Sequence, residues 1–361
     1  MGKILNLELT GQPSDETSLA PDHDLAEELS TPLGLELMPK IFRLTSIQQT
    51  VFDARHTDCT ATLFHNKAQL KVKWHARHPD HRLKPNLLVS PRWTGKPNCQ
   101  GGAITISRLV PMERPEPEEN LFETIPSGWV RDGELLQQAA KLIAILPNSY
   151  KCLFNAIFWD GDRFRRFCKA PASMSGHHQE DGGNLRHAID VALMMQGLCR
   201  IRKNTNLPLG IMSALLHDAG KADEYRLGKD GQRILTDRGR LLGHQVTVIE
   251  WIASAMARWN LRLPEEHYMA LLHCLTCSAN APDYLGIRKP AMLEAFMLSD
   301  ADRNSGHDDL FTRCSAGVSG WGTYHKHLKN RPYTLSPLAT EPSCESIEQE
   351  GTHPFPSGGV F

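Results

Sequence analysis

The chain has 361 residues, of which 40% are hydrophobic and 22% charged, and its formal net charge is −1. That length can bury more than one core and suggests two domains, while the near-neutral total by itself says nothing about nucleic acid. No run approaches the ~18 apolar residues of a membrane span, and "MGKILNLELTGQPSDE" lacks the apolar core of a signal peptide, so a soluble, cytoplasmic protein with no membrane partner is expected.

Charge is segregated along the chain. Residues 1–40 hold eight acidic and two basic residues, whereas 41–115 hold twelve Lys and Arg against four Asp and Glu, a local balance of +8. The first 40 residues are also short of aromatics and read as a disordered acidic leader, with one weak helix around "DLAEELS". Residues 335–361, rich in Pro, Ser, Gly and Glu, read as a disordered tail. Nine scattered cysteines in a chain without an export signal read as free thiols. Cys274 and Cys277 make one C-x-x-C with no second pair at metal-site spacing, which reads as helix packing.

From 41 to 112 the pattern has period two. "IFRLTSIQQTVF", "CTATLFH", "AQLKVKW", "NLLVS" and "GAITISRLV" are short β-branched or aromatic runs separated by Gly, Pro, Asn and His clusters. Five such strands suit a small β-barrel of the OB type, a fold that commonly binds single strands. In "LKVKW", Leu70, Val72 and Trp74 fall on one face and Lys71 and Lys73 on the other. Arg43, Arg55, Lys71, Lys73, Arg77, Arg82, Arg92 and Lys96 interleave with Trp74, Trp93 and five histidines, which would neutralise phosphates and offer stacking faces. Lys71, Lys73, Trp74, Arg92 and Trp93 are the expected contacts to single-stranded nucleic acid. The alternative is a β-domain whose exposed charges only keep it soluble.

"ERPEPEEN" at 113–120 reads as a linker, and beyond it the period becomes helical. "RDGELLQQAAKLIAIL", "NLRHAIDVALMMQGLCRI", "LPLGIMSALLHDAG", "GHQVTVIEWIASAMARW", "PEEHYMALLHCL" and "PAMLEAFMLSDADR" are amphipathic or buried helices, so 121–334 is expected to be all-α. The fold class is therefore α+β and multidomain, a small barrel followed by a helical bundle.

Four of these helices end an apolar stripe in ionisable residues. His187 lines up with Val191, Met194 and Leu198, His244 with Val248, Trp251 and Ala255, and Asp302 with Leu298, Ala295 and Ala291. The pair His217 and Asp218 closes the fourth, "SALLHDAG". One such residue is more often a satisfied core group than a ligand, but four together are hard to explain without a shared ion. Asp300 is an alternative to Asp302.

The pattern His187, then His217-Asp218, then Asp302 on successive helices resembles the HD metal-dependent phosphohydrolase superfamily. Within it, "FCKAPASMSGHHQEDGGNLRHAIDVA", "ALLHDAGKADEY", "TDRGRLLGHQ" and "KPAMLEAFMLSDADR" resemble YhaM-type 3′-to-5′ exoribonucleases, which join an OB-fold to an HD domain. The block around His177 and His178 also resembles MobH-type, TraI-like conjugative relaxases. The resemblance implies His187, His217, Asp218 and Asp302 as core ligands of a divalent ion, Mn²⁺ or Mg²⁺ with Fe²⁺ compatible, and Asp218 bridging to a second ion at His244. Where the family commonly has a paired histidine after the position of His273, this chain has Ser278 and Ala279, which implies a weakened second site.

The expected activity is metal-dependent phosphodiester hydrolysis, a 3′-to-5′ exonuclease on single-stranded RNA or DNA, with Asp218, Lys221 and His178 as catalytic candidates. Lys221 would touch a phosphate, or else only offset the carbonyls of the preceding helix end. A nucleotide phosphohydrolase and a conjugation or DNA-processing factor with a degenerate HD site are the alternatives.

Overall fold

The structure is a computed structural model that describes residues 38–94, 99–100, 102–230 and 232–336. The expected leader and tail lie outside the described residues except for 38–40 and 335–336, as does Lys96. The architecture is α+β, an N-terminal sheet followed by a mainly helical region. Residues up to Asp309 form one compact unit and those from Leu310 onward a second.

Strands β1 (Phe42–Asp53), β2 (His56–His65) and β3 (Ala68–Ala76) pair as an antiparallel meander. Strand β4 (Leu88–Trp93), the two-residue β5 (Cys99–Gln100) and β6 (Ala103–Pro111) extend the order to β3-β2-β1-β4-β6-β5. A parallel pairing sets Val72 opposite Ile104, so the order of the longer strands returns from β6 to β3. Alternation sends Leu63, Leu70, Val72, Ile104 and Ile106 into one core and leaves Thr60, Lys71 and His75 outside.

Trp74 belongs to that core at 5% exposed, which removes it from the expected nucleic-acid contacts. Its place on the Leu70 and Val72 face buries its ring, and burial of an aromatic of this size outweighs any surface role. Trp93 is half-buried against the same core, while Lys71 and Arg92 are exposed and Lys73 half-buried.

The first turn of β1 breaks the alternation, since Phe42, Arg43 and Leu44 are all buried. Phe42 and Leu44 face the sheet core, whereas Arg43 is covered by the helical region. Its Nη1 donates to the Asn86 carbonyl at 2.9 Å, its Nη2 to the Thr124 hydroxyl at 2.8 Å, and its guanidinium lies 5.3 Å from the Trp129 ring and 5.4 Å from Phe164. Burial pushes its pKa down to about 9. Two hydrogen bonds and two aromatic faces offset the desolvation. Arg43 is therefore a structural tie and not the phosphate-neutralising residue expected.

The stretch 113–120 is held in place too, unlike a free linker. Asn155 Nδ2 donates to the carbonyls of Glu116 at 2.7 Å and Glu119 at 2.8 Å, and Pro115 is buried. Gly161 lets the Asn86 backbone approach a helix start where a Cβ would collide with it. Ile41 and Leu88 from the sheet pack into the helical core.

The helices are α1 (Gly133–Ala144), α2 (Asn148–Ile157), α3 (Gly161–Lys169), α4 (Gly183–Ile201), α5 (Leu207–Leu216), α6 (Lys221–Glu224), α7 (Asp237–Leu241), α8 (Gly243–Trp259), α9 (Glu265–Thr276) and α10 (Leu293–Cys314). Side chains of Asp132, Asp160 and Asn206 cap α1, α3 and α5 by accepting from backbone N–H groups of the first turn. Their core is built on Phe122, Phe154, Phe158, Phe164 and Phe167, each at most 1% exposed, and each such side chain is worth roughly 1.5–3 kcal/mol of burial.

This region is not all-α as expected. Strands β7 (Tyr225–Leu227) and β8 (Arg233–Leu235) make a hairpin between α6 and α7. In the second unit β9 (Gly320–Trp321) pairs with β10 (Tyr333–Thr334). The Gly, Lys and Asp at 228–230 supply turn chemistry that follows β7 and reverses the chain. No helix among the described residues is long and apolar enough to cross a membrane.

Candidate metal centre

Three helices bring four donors together. His187 lies one turn into α4, His217 and Asp218 follow the last residue of α5, and Asp302 sits midway along α10. One ligand atom from each lies within 4.8 Å of all the others, so the group could hold a metal ion. His187 Nε2 is 3.0 Å from Asp302 Oδ1, 3.4 Å from Asp218 Oδ2 and 3.2 Å from His217 Nε2. Asp300 is exposed and paired with Arg303, so Asp302 is the carboxylate that enters the site.

The chemistry of these donors fits a divalent ion. His217 Nδ1 donates to the Ala214 carbonyl at 2.7 Å, which leaves the Nε2 lone pair aimed inward. Two imidazole Nε2 atoms facing each other between two carboxylates need a proton or a cation between them. Asp218 and Asp302 are held well below the usual carboxylate range. Burial alone would raise both, but His217 and Lys221 around Asp218, and hydrogen bonds to His187 and His217 at Asp302, more than offset it. Burial would lower His187, yet its hydrogen bonds to Asp218 and Asp302 push it up to about 9. Two imidazoles suit Mn²⁺, Fe²⁺ or Zn²⁺, and the second carboxylate here adds an oxygen donor that also serves Mg²⁺.

Asp218 also reaches outward. Its Oδ1 lies 3.3 Å from His244 Nε2, and its Oδ2 lies 2.5 Å from Lys221 Nζ. Gly220 makes the first contact possible, because a Cβ there would collide with the His244 backbone and push α8 away. His244 Nδ1 is set by Glu224 Oε1 at 3.0 Å. His244 is thus one carboxylate away from the four-donor group, and no third donor joins it and Asp218 Oδ1 in a cluster among the described residues. His273, at the end of α9, accepts from the backbone of Ala291 at 2.9 Å. Lys221 Nζ pairs with Asp218 and offsets its charge.

His178 is buried beside the donor group and does not sit on an exposed loop. It is 5% exposed, its ring lies 5.6 Å from that of His187, and its backbone N–H donates to Asp309 Oδ2 at 3.0 Å. Burial lowers its pKa. Ser305 lies between the two histidines, with its Oγ 3.0 Å from His187 Nδ1 and 3.4 Å from His178 Nε2. Ser305 and Asp309 escape the sequence reading, although they fall three and seven residues after Asp302 on the same stripe of α10. Ser305 fixes the His187 ring with Nε2 toward the other donors.

The described cysteines at 59, 152, 168, 199, 274, 277 and 314 are free, and none joins a metal-competent cluster among the described residues. Comparison of the chain with known protein families, with curated proteins and with solved structures returns no match.

Proposed function

We propose that the chain is a metal-dependent phosphodiesterase of the HD type, acting as a 3′-to-5′ exonuclease on single-stranded RNA or DNA. The observation that carries the reading is the convergence of His187, His217, Asp218 and Asp302 within 4.8 Å, from three helical segments that span 115 residues of sequence. A divalent ion held there would supply charge neutralisation for an anionic phosphodiester and an acidified water. The chain's own groups do the rest. Asp218 ties the site to His244, Lys221 keeps Asp218 ionised, and Ser305 and the Ala214 carbonyl hold the two imidazoles in register.

A strand order that returns on itself supports an OB-type barrel, in which Lys71, Lys73 and Arg92 on the outer surface would track the backbone of a single strand. The purified chain should shorten end-labelled single-stranded oligomers stepwise from the 3′ end with Mn²⁺ or Mg²⁺, and an Asp218→Ala variant or EDTA should stop it. Tight strand binding without cleavage under any metal would turn the reading toward a DNA-processing factor. Cleavage of mononucleotides alone would turn it toward a nucleotide phosphohydrolase.

A further inference from the structure

The outer face of the sheet carries a second donor cluster, 56–75 in the chain and outside the helical site. His56 and Asp58 are two residues apart on β2 and therefore point to the same side, and Asp58 pairs directly across the ladder with His75 on β3. Asp58 Oδ1 lies 3.0 Å from His56 Nε2 and 2.5 Å from His75 Nδ1, and the three donor atoms fall within 4.8 Å of one another.

We propose that His56, Asp58 and His75 form a solvent-facing site for a late first-row divalent ion of the Zn²⁺ or Ni²⁺ class. Donors on one such ion, with bonds of about 2.0–2.1 Å, sit roughly 3 Å apart, close to the separations in place here. The carboxylate oxygen already receives both rings, so a single cation at that point replaces two protons without moving a strand. The backbone under it is fixed by the nine-residue β2–β3 ladder from Thr57 to His65, and the edge of Phe52 braces the His56 ring at 5.9 Å. Two imidazoles and one carboxylate favour Zn²⁺, Ni²⁺ or Cu²⁺ over Mg²⁺, which prefers oxygen donors and sheds water reluctantly. The remaining coordination positions open to solvent, since all three side chains are more than 40% exposed. Lys71 and Lys73 precede His75 on the same face of β3, so the ion would add positive charge in line with them.

The test is a calorimetric titration of Zn²⁺, and in parallel Mg²⁺, into the full chain and into His75→Ala and Asp58→Asn variants. Beside Asp218→Ala as the control for the helical centre, the wild type is expected to bind Zn²⁺ at that centre and at one further site that Mg²⁺ does not fill. His75→Ala and Asp58→Asn should each weaken that further site alone by roughly tenfold or more. Zn²⁺ should also raise the melting temperature of the wild type more than that of either variant, whose metal-free melts should match the wild type because the positions are exposed. Equal Zn²⁺ stoichiometry and affinity in the wild type and both variants would overturn the site. So would Zn²⁺ binding that disappears in Asp218→Ala but persists unchanged in His75→Ala.

Discussion

The helical site and the outer face of the sheet use the same side chains to opposite effect. At the helical site His187 is fully buried and Asp218 nearly so, and the donors come from three distant segments held by a common core. On the sheet, the donors lie within 20 residues of one another and face water. Burial makes His187 and Asp218 unforgiving, because an unpaired carboxylate or imidazole there has no water to fall back on, while Asp302, with 46% of its side chain exposed, is the open edge of that site. Exposure makes the second adaptable and individually cheap to alter.

The largest expected effect is at Asp218, which touches His187, His217, His244 and Lys221. Asp218→Ala should lower the hydrolysis rate by roughly a thousandfold or more, read from initial rates on an end-labelled strand. A smaller loss would mean that the helical site is not where the chemistry occurs. Next comes the tie between sheet and helices. Arg43→Ala removes a buried guanidinium with two hydrogen bonds and two aromatic neighbours, and should cost about 3 kcal/mol in denaturant unfolding. Lys71→Ala on the outer face should stay within about 0.5 kcal/mol.

The pH dependence of ion binding sharpens the contrast. His187 is raised from 6.5 to about 9 in the ion-free protein, so its proton stabilises the fold fully below about pH 6.5, and that contribution is lost as pH rises through about 9. An ion must displace this proton. Its apparent affinity at the helical site should therefore climb with pH, by up to about tenfold per unit below pH 9, in titrations at pH 6, 7 and 8. Flat affinity over that range would mean that His187 is not a ligand. The smallest effect is expected at Lys71 and Lys73. Replacing either with Ala should weaken single-strand binding modestly and reduce the salt slope of binding by about one.

Much of the helical site was legible before folding, because an ionisable residue in line with an apolar helical stripe is a rare pattern and recurs at His187, His244 and Asp302. The β-run spacing likewise marks the five longer strands. Three things are not legible from pattern alone. Trp74 and Arg43 look like surface chemistry until tertiary packing covers them, Trp74 by the sheet's own core and Arg43 by Thr124, Trp129 and Phe164. The stretch 113–120 reads as a tether until Asn155 caps its carbonyls from 36 and 39 residues away. Ser305 is in line with Asp302 but carries no chemical signal of its own, since a serine on a helix is ordinary until His187 is known to need a partner. Helices α2 and α3 were within reach, given Tyr150, Leu153, Phe154 and Ile157 at helical spacing and Asp160 as a cap.

The most direct measurement is Mn²⁺ binding to the full chain, followed by the loss of its free-ion paramagnetic resonance signal, for the wild type beside His187→Ala and Asp302→Asn. Tight binding by the wild type, weakened by roughly tenfold or more in both variants, is the predicted result. Binding that is absent in the wild type, or unchanged in both variants, would contradict the assignment of these residues as a metal centre.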